Sequence, residues 1–391
     1  MTVVAFFIVT IMWGSLYTFG IFFGPLLEEF GWTRATTSGA FSLSFIMFGF
    51  LGIVAGKLTD RFGPRKVVTI CGLTLGSGYI LMSLVSTLWQ IYFFYGVIVA
   101  IGMSGCAVPL ASTVSRWFTT RRGMMTGVVV SGVGAGTLIV PPIANWLLAN
   151  YSWRTSYLLL GIAVIVLVIL LAQFIRRDPT EMGLQPYGEI NSGQKRDLQS
   201  MGLSLREAIC TQQFWLISGA FFCFTLGLGA VMVHIVPHAI DLGISATGAA
   251  LILTIVGGLS IMGRVVMGMT SDRIGYKRTI IIGLAMVLIS FCWSLFANEL
   301  WQLYLFAIIF GFGYGAISAT VFPLVAEYFG LGSHGAILGF LIFSGESGNG
   351  IGPVVTGHIY DITGSYQLAF LIWALVSFVG IILILRLRQP S

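Results

Sequence analysis

Charged side chains are scarce in this chain of 391 residues. Asp, Glu, Lys and Arg make up 9% of it and hydrophobic residues 57%, whereas a soluble globular domain carries about 25% charged residues. The mean hydropathy is correspondingly high, at +0.95. This balance excludes a soluble domain and predicts a protein embedded in a lipid bilayer.

Groupings of residues that carry chemistry are also missing. The five cysteines show no paired spacing, so we predict neither a disulfide framework nor a metal site. The sequence contains no paired carboxylates and no nucleophile triad, which argues against an enzyme and against a cofactor. Glycine-rich stretches at 311–315 and 345–352 lie inside apolar runs, where they indicate close helix packing and not a nucleotide loop.

What the chain does contain is apolar runs, twelve in number, each close to the roughly 20 residues that span a bilayer. The first run starts almost at Met1 without a charged leader or a small-residue cleavage site, so we expect a retained helix. The approximate spans are 3–27, 36–57, 66–87, 90–115, 123–148, 154–175, 212–237, 246–270, 277–297, 300–325, 335–358 and 365–386.

The few basic residues indicate the orientation. Seventeen of the 20 Lys and Arg residues fall in loops or the tail on one side of the predicted bilayer, and only Arg34 and Arg154 fall on the other. Because cytoplasmic loops are enriched in basic residues, we expect both termini in the cytoplasm of a cell (inner) membrane protein. The net charge of +6 therefore reports topology and does not indicate a nucleic-acid partner.

An eleven-residue segment occurs twice. Residues 56–66 read GKLTDRFGPRK and residues 268–278 read GMTSDRIGYKR, a spacing of 268 minus 56, or 212 residues. The same spacing relates Pro25 to Pro237 and Pro141 to Pro353. Internal duplication in so apolar a chain is typical of a transporter whose halves rock about a site near the bilayer midplane.

The repeat predicts the domain organisation. We expect an all-α membrane protein with two pseudo-symmetric six-helix bundles, at 1–175 and 212–391, acting as a monomer. Between them, the polar residues 176–211 predict a linker, with a short surface helix around Ser204 to Thr211.

The duplicated segment resembles the signature loop of the major facilitator superfamily, which implies twelve helices in two bundles. Its glycines permit a tight turn, and its charges can tie helix ends together. The resemblance implies a cytoplasmic gating motif at Gly56, Asp60, Arg61, Gly63, Asp272 and Arg273.

A second stretch narrows the resemblance. Residues 116–127, RWFTTRRGMMTG, are similar to the entry to helix 5 of monocarboxylate porters and oxalate/formate antiporters. Those families share an arginine inside helix 8 that receives the substrate carboxylate. The matching residue here is Arg264.

Arg264 lies eight residues before Asp272, or about 12 Å into the membrane. Intramembrane cations are costly and mark functional sites by default. Its repeat equivalent is Gly52, so the scaffold itself does not need the charge. The alternatives are an arginine that snorkels to the membrane surface or one that bridges a buried acid.

A guanidinium presents a planar fork that matches a carboxylate. A single cation leaves the second charge of a dicarboxylate uncompensated, so we favour monocarboxylates over oxalate. The oxalate exchangers add a lysine in helix 11, and residues 343–349, FSGESGN, contain none.

Glu346 stands in that region, and its repeat equivalent is Gly134. Two roles remain open: Glu346 carries a coupled proton, or it is a salt-bridge partner of Arg264 or a polar group facing a water-filled funnel. The proton symporters among the porters carry an acid one turn before the helix 8 arginine. Here that position is Ser260.

Four further residues are candidates. His234 is predicted to face the outer vestibule, where it can contribute to proton coupling; metal binding with His238 is disfavoured because Pro237 interrupts the helix. Tyr17, Tyr314 and Asn349 fall near mid-membrane as substrate contacts, with ordinary core packing as the alternative.

Together these features predict a secondary transporter for small monocarboxylates such as lactate, pyruvate or acetate, moved with a proton. The alternatives are an anion exchanger of the oxalate/formate kind and a non-transporting membrane sensor.

Overall fold

The structure is a computed structural model. It describes residues 1–106, 109, 110, 113, 117, 122–177, 179, 203–330 and 334–387. The predicted linker at 176–211 lies partly outside these residues.

The described residues form fourteen helices and no strand. One of them has π-helical geometry over Tyr92–Val99. In chain order the helices are α1 Thr2–Tyr17, α2 Phe19–Phe30, α3 Arg34–Phe62, α4 Pro64–Met82, α5 Leu88–Met103, α6 Arg122–Asn150, α7 Trp153–Ala172, α8 Leu205–Ile209, α9 Gln212–Asp241, α10 Ala246–Ile274, α11 Tyr276–Ser294, α12 Leu300–Phe329, α13 His334–Thr363 and α14 Gln367–Leu385.

Each of the twelve predicted spans overlaps a helix in the described part of the chain, and the predicted span 90–115 is matched only up to Met103. Nine stretches in the described part of the chain are long and apolar enough to cross a membrane, the first formed by α1 and α2 together. The other three predicted spans overlap α4, α5 and α13. Because successive spans alternate in direction, Met1 and Leu387 lie on the same side of the predicted bilayer, here called the termini side. The opposite side of the bilayer is called the far side.

The repeat holds in the backbone. Helices α10 and α11 begin and end 212 residues after α3 and α4. The turns between these helices use equivalent glycines with positive φ, Gly63 at 83° and Gly275 at 89°. An L side chain rarely adopts this conformation, so the duplicated segment keeps glycine in both copies.

The first six spans meet the last six mainly along two helix pairs, α6 with α10 and α3 with α13, with a smaller contact between α2 and α9. Small residues allow the close approach. A Cβ atom added at Gly257 would stand 2.6 Å from the backbone nitrogen of Leu138, and one added at Gly357 would stand 2.7 Å from that of Ala35. We call these contacts the two seams.

The predicted surface helix near Ser204 is confirmed as α8. A capping box starts it: the Ser204 amide donates to Glu207 over 2.8 Å, and the Glu207 amide donates to the Ser204 hydroxyl over 3.3 Å. These hydrogen bonds lower the pKa of Glu207 below its ordinary value. Just before the helix, the Leu203 amide donates to the Phe329 carbonyl, which ties it to the end of α12.

Candidate functional site

Arg264 lies at the seam between α6 and α10. Its side chain is buried, with 9% of the residue exposed, and its guanidinium carbon stands 5.0 Å from the centre of the Tyr314 ring. Across the seam, a Cβ atom at Gly134 would stand 3.0 Å from Nη1 of Arg264. Glycine at 134 therefore leaves room for the guanidinium.

The guanidinium has no anionic partner in the described part of the chain. Its Nε and Nη1 are enclosed without a hydrogen bond, and the ion pairs there join other residues. Its burial excludes the snorkelling alternative, and the bridge to a buried acid is not formed. A buried, unpaired cation is costly and is chemically suited to an anion.

Two tyrosines stand beside this cation. Tyr17 ends α1 and is 1% exposed, and Tyr314 in α12 is 5% exposed. Tyr17 is near enough to Tyr314, Glu346 and Arg264 to interact electrostatically with each. The structure thus brings both predicted tyrosines to the predicted arginine.

Glu346 lies at the other seam, between α3 and α13. It is half-buried, and one carboxylate oxygen accepts a hydrogen bond of 3.2 Å from the amide of Asn349. The carbonyl oxygen of the Asn349 side chain is buried without a partner. A Cβ atom added at Gly49 in α3 would stand 3.6 Å from Cβ of Glu346, so this seam also places a charge against glycine.

His234 does not join this group. It is 1% exposed, so in this structure it does not face the predicted open vestibule. Its Nδ1 is 3.1 Å from the Tyr366 hydroxyl and its Nε2 is 2.8 Å from the Pro353 carbonyl. The helices α2, α9, α13 and the start of α14 enclose it near the far side.

The predicted gating residues lie at the termini side, at the ends of α3 and α10. Arg61 and Arg273 are exposed there, and Asp272 accepts a hydrogen bond of 3.4 Å from the Tyr276 hydroxyl. The side chain of Asp60 and residues 116 and 118–121 of the RWFTTRRGMMTG stretch lie outside the described part of the chain. Among the described residues, no cluster of His, Cys, Asp or Glu is arranged to hold a metal ion.

Sequence reasoning missed the partners of the two charges across the seams. Gly134 was marked only as the repeat equivalent of Glu346. The repeat equivalent of Gly49 is Ile261, so no signal in the sequence marked Gly49 as a neighbour of Glu346.

A family model decides the classification. The model of the Major Facilitator Superfamily matches residues 5–240 and 217–391. The chain belongs to the major facilitator superfamily. This facilitator is an integral membrane transporter and not an enzyme, and its all-α fold is the predicted one.

Curated relatives of this facilitator are named monocarboxylate transporters. Monocarboxylate transporter 13 of Rattus norvegicus is 27% identical over 373 residues, covering 94% of this chain and 83% of that protein. Monocarboxylate transporter 11 of Homo sapiens is 26% identical over 388 residues, covering 94% and 78%. The predicted resemblance to this family is confirmed.

Solved structures share the fold. A bacterial homologue of the human lysosomal transporter Spinster, in an inward-facing and unoccupied conformation, superposes with a TM-score of 0.75 at 16% identity, covering 98% of this facilitator and 93% of that chain. The same homologue in an inward-facing and occupied conformation gives a TM-score of 0.72.

Proposed function

We propose that this transporter moves small monocarboxylates such as lactate, pyruvate or acetate by alternating access, together with a proton. It acts as a monomer with bundles at 1–175 and 212–391, joined by a linker at 176–211. The termini side is the cytoplasm.

The observation that carries the proposal is the unpaired guanidinium of Arg264 at the seam. A monocarboxylate supplies one negative charge and two coplanar acceptors, which match this group. The relatives named monocarboxylate transporters support the same cargo.

The surroundings support a small substrate. Tyr314 and Tyr17 line the position beside Arg264 with aromatic surface, suited to a short organic tail. Asn349 adds a buried acceptor without a partner, to which the hydroxyl of lactate can donate. Among the described residues that interact electrostatically with Tyr17, Arg264 is the one cation. One cation balances the charge of one carboxylate, as a monocarboxylate requires.

Glu346 is the proposed proton carrier. It is half-buried at the second seam, and its one hydrogen-bond partner among the described residues is Asn349. A carboxylate that is not engaged by Arg264 is free to bind and release a proton as the seam opens and closes.

Uptake of radiolabelled lactate into proteoliposomes tests the proposal. We expect uptake that an inward acid gradient stimulates, and a loss of lactate binding of at least about 30-fold in Arg264→Gln, since removing one partner of a buried charge pair costs 2 kcal/mol or more. The matched control is Arg154→Gln, an arginine on the far side that pairs with Glu29.

Three outcomes contradict parts of the proposal. Normal lactate affinity in Arg264→Gln removes the site. Uptake that requires an anion inside the proteoliposomes and does not respond to the acid gradient indicates an oxalate/formate type of exchanger. No uptake of any monocarboxylate indicates a sensor on the same scaffold.

A further inference from the structure

A network of polar side chains joins the two halves on the far side. Arg34, the first residue of α3, forms an ion pair of 2.9 Å with Asp241 at the end of α9 and donates through Nη1 to the Tyr366 hydroxyl. Its guanidinium carbon also lies 3.8 Å from the centre of the Tyr360 ring. One side chain of the first half is thus held by three of the second half.

The backbone takes part as well. The amides of Arg34 and Ala35 donate to the two carboxylate oxygens of Asp361 over 2.9 and 2.8 Å. Asp361 belongs to α13, so a residue of the second half satisfies the free amides at the start of α3 in the first. We call the set Arg34, Asp241, Asp361, Tyr360, Tyr366 and His234 the far-side latch.

The repeat shows that the scaffold does not require this latch. The equivalents of Asp241 and Tyr366 are Glu29 and Arg154, which form an ion pair within the first half. In the second half a tyrosine replaces the arginine, and Asp241 pairs with Arg34 of the first half instead. Glu29 therefore forms its ion pair within the first bundle, whereas its repeat equivalent Asp241 forms an ion pair between the two bundles.

The hydrogen-bond pattern around His234 is the one expected for a neutral imidazole. Arg34 can only donate, so the Tyr366 oxygen accepts from it, and the single phenolic proton goes to Nδ1 of His234. The Pro353 carbonyl can only accept, so Nε2 of His234 carries the ring proton. The latch closes only around a neutral imidazole, because a second ring proton leaves the Tyr366 hydroxyl without its acceptor.

The groups around His234 come from every helix packed against it. From α2 the Phe23 ring approaches to 5.2 Å, and from α3 the Ser38 hydroxyl donates to the same Pro353 carbonyl over 3.2 Å. Its charged or titratable neighbours from other helices are Arg34, Asp361 and Tyr366, and the first two act on it electrostatically. On its own helix the nearest such residues are His238 and Asp241.

We propose that the far-side latch is a proton-sensitive gate, closed by neutral His234 and opened when His234 binds a proton from the far side. This rests on the alternating access proposed above. His234 must lose its proton before the latch closes, so it senses far-side acid and does not itself carry the proton across.

The test measures the far-side opening directly, without substrate. Leu84 and Phe296 are repeat equivalents in far-side loops, 66% and 75% exposed, and spin labels on cysteines at these positions report the distance between halves. The accessible native cysteines Cys210, Cys223 and Cys292 are first replaced by alanine. The distance is measured by double electron–electron resonance in lipid nanodiscs at about pH 8 and about pH 5, the range in which imidazole changes charge.

We expect the distance to be short at pH 8 and to shift to longer values in acid. His234→Gln offers an amide that donates to Pro353 and accepts from Tyr366 but does not titrate, so its distance stays short in acid. Arg34→Gln lengthens the distance at both pH values. Arg154→Gln, the matched control, behaves as the parent protein does.

The inference is overturned if the distance between the spin labels does not change with pH in the parent protein. It is also overturned if that distance still lengthens in acid in His234→Gln. An Arg34→Gln protein with a short distance at both pH values overturns it too. Since no carboxylate is present, a pH-dependent distance together with failed lactate uptake rejects the proposed cargo and leaves the latch standing.

Discussion

The two seams of this facilitator are copies in backbone and opposites in charge. At the seam of α6 and α10, Arg264 faces Gly134; at the seam of α3 and α13, Glu346 lies against Gly49. The repeat exchanges the seams, since Gly134 is the equivalent of Glu346, and Gly52 that of Arg264. The duplication supplied a close helix approach twice, and each copy received one charge of its own.

The two charges also differ in their surroundings. Arg264 has no hydrogen bond among the described residues, whereas Glu346 accepts one from Asn349. A scaffold contact does not need such asymmetry, because helices pack at both seams through glycine. The glycines common to both seams therefore serve helix packing, and the two unequal charges serve the proposed transport.

The largest expected effect, after loss of Arg264 itself, comes from filling the space opposite it. In Gly134→Ala the new Cβ stands 2.7 Å from Ser260 Oγ and 3.0 Å from Arg264 Nη1, so the guanidinium must move. Overpacking of this kind costs about 1–3 kcal/mol of stability. The displaced guanidinium should also raise the KM for lactate by at least about fivefold, since each 1.4 kcal/mol of lost binding is about tenfold in affinity.

The matched control for this change is Gly127→Ala on the same helix, where a Cβ meets nothing within 4 Å. Its KM should stay at the parent value. Equal KM values in the two variants would show that the seam does not position Arg264.

An intermediate effect is expected at the second seam. Glu346→Gln keeps the size of the side chain but cannot bind and release a proton, so stimulation of lactate uptake by an inward acid gradient should disappear while uptake without a gradient remains. Glu28→Gln, at an exposed acid on the far side, serves as the control. Persistent stimulation in Glu346→Gln assigns the proton to another group.

The smallest effect is expected at a contact that both halves form through equivalent basic residues. Arg65 donates to the Gln173 side chain, and its equivalent Lys277 donates to the carbonyls of Leu385 and Leu387 over 3.1 and 2.6 Å. Replacing either cation with alanine should lower the free energy of unfolding by about 1 kcal/mol or less, read as a small drop in Tm, with uptake unchanged. A large loss of uptake would give this scaffold contact a role in transport.

Much of the fold followed from local patterns. The spans were predictable because a bilayer demands about 20 apolar residues for each crossing, and the short helix after Ser204 because a capping box acts within four residues. Arg264 and Glu346 were identifiable because a charge inside an apolar run has no ordinary structural reason.

The surroundings of His234 were not predictable in this way. Its position near the end of a span suggested contact with water, yet helices from both halves enclose it. The Arg34 and Asp361 contacts join residues 327 positions apart. No local pattern encodes such a contact, since it depends on where two bundles meet.

The sequence by itself determined the twelve apolar helices, the duplication and the two charges that the duplication does not repeat, because hydropathy and charge are properties of single residues and short runs. The tertiary structure decided which glycine each charge lies against, that Arg264 and Glu346 stay unpaired with each other, and that Arg34 ties the halves together on the far side. These depend on distances between helices far apart in the chain, which packing of the two bundles sets.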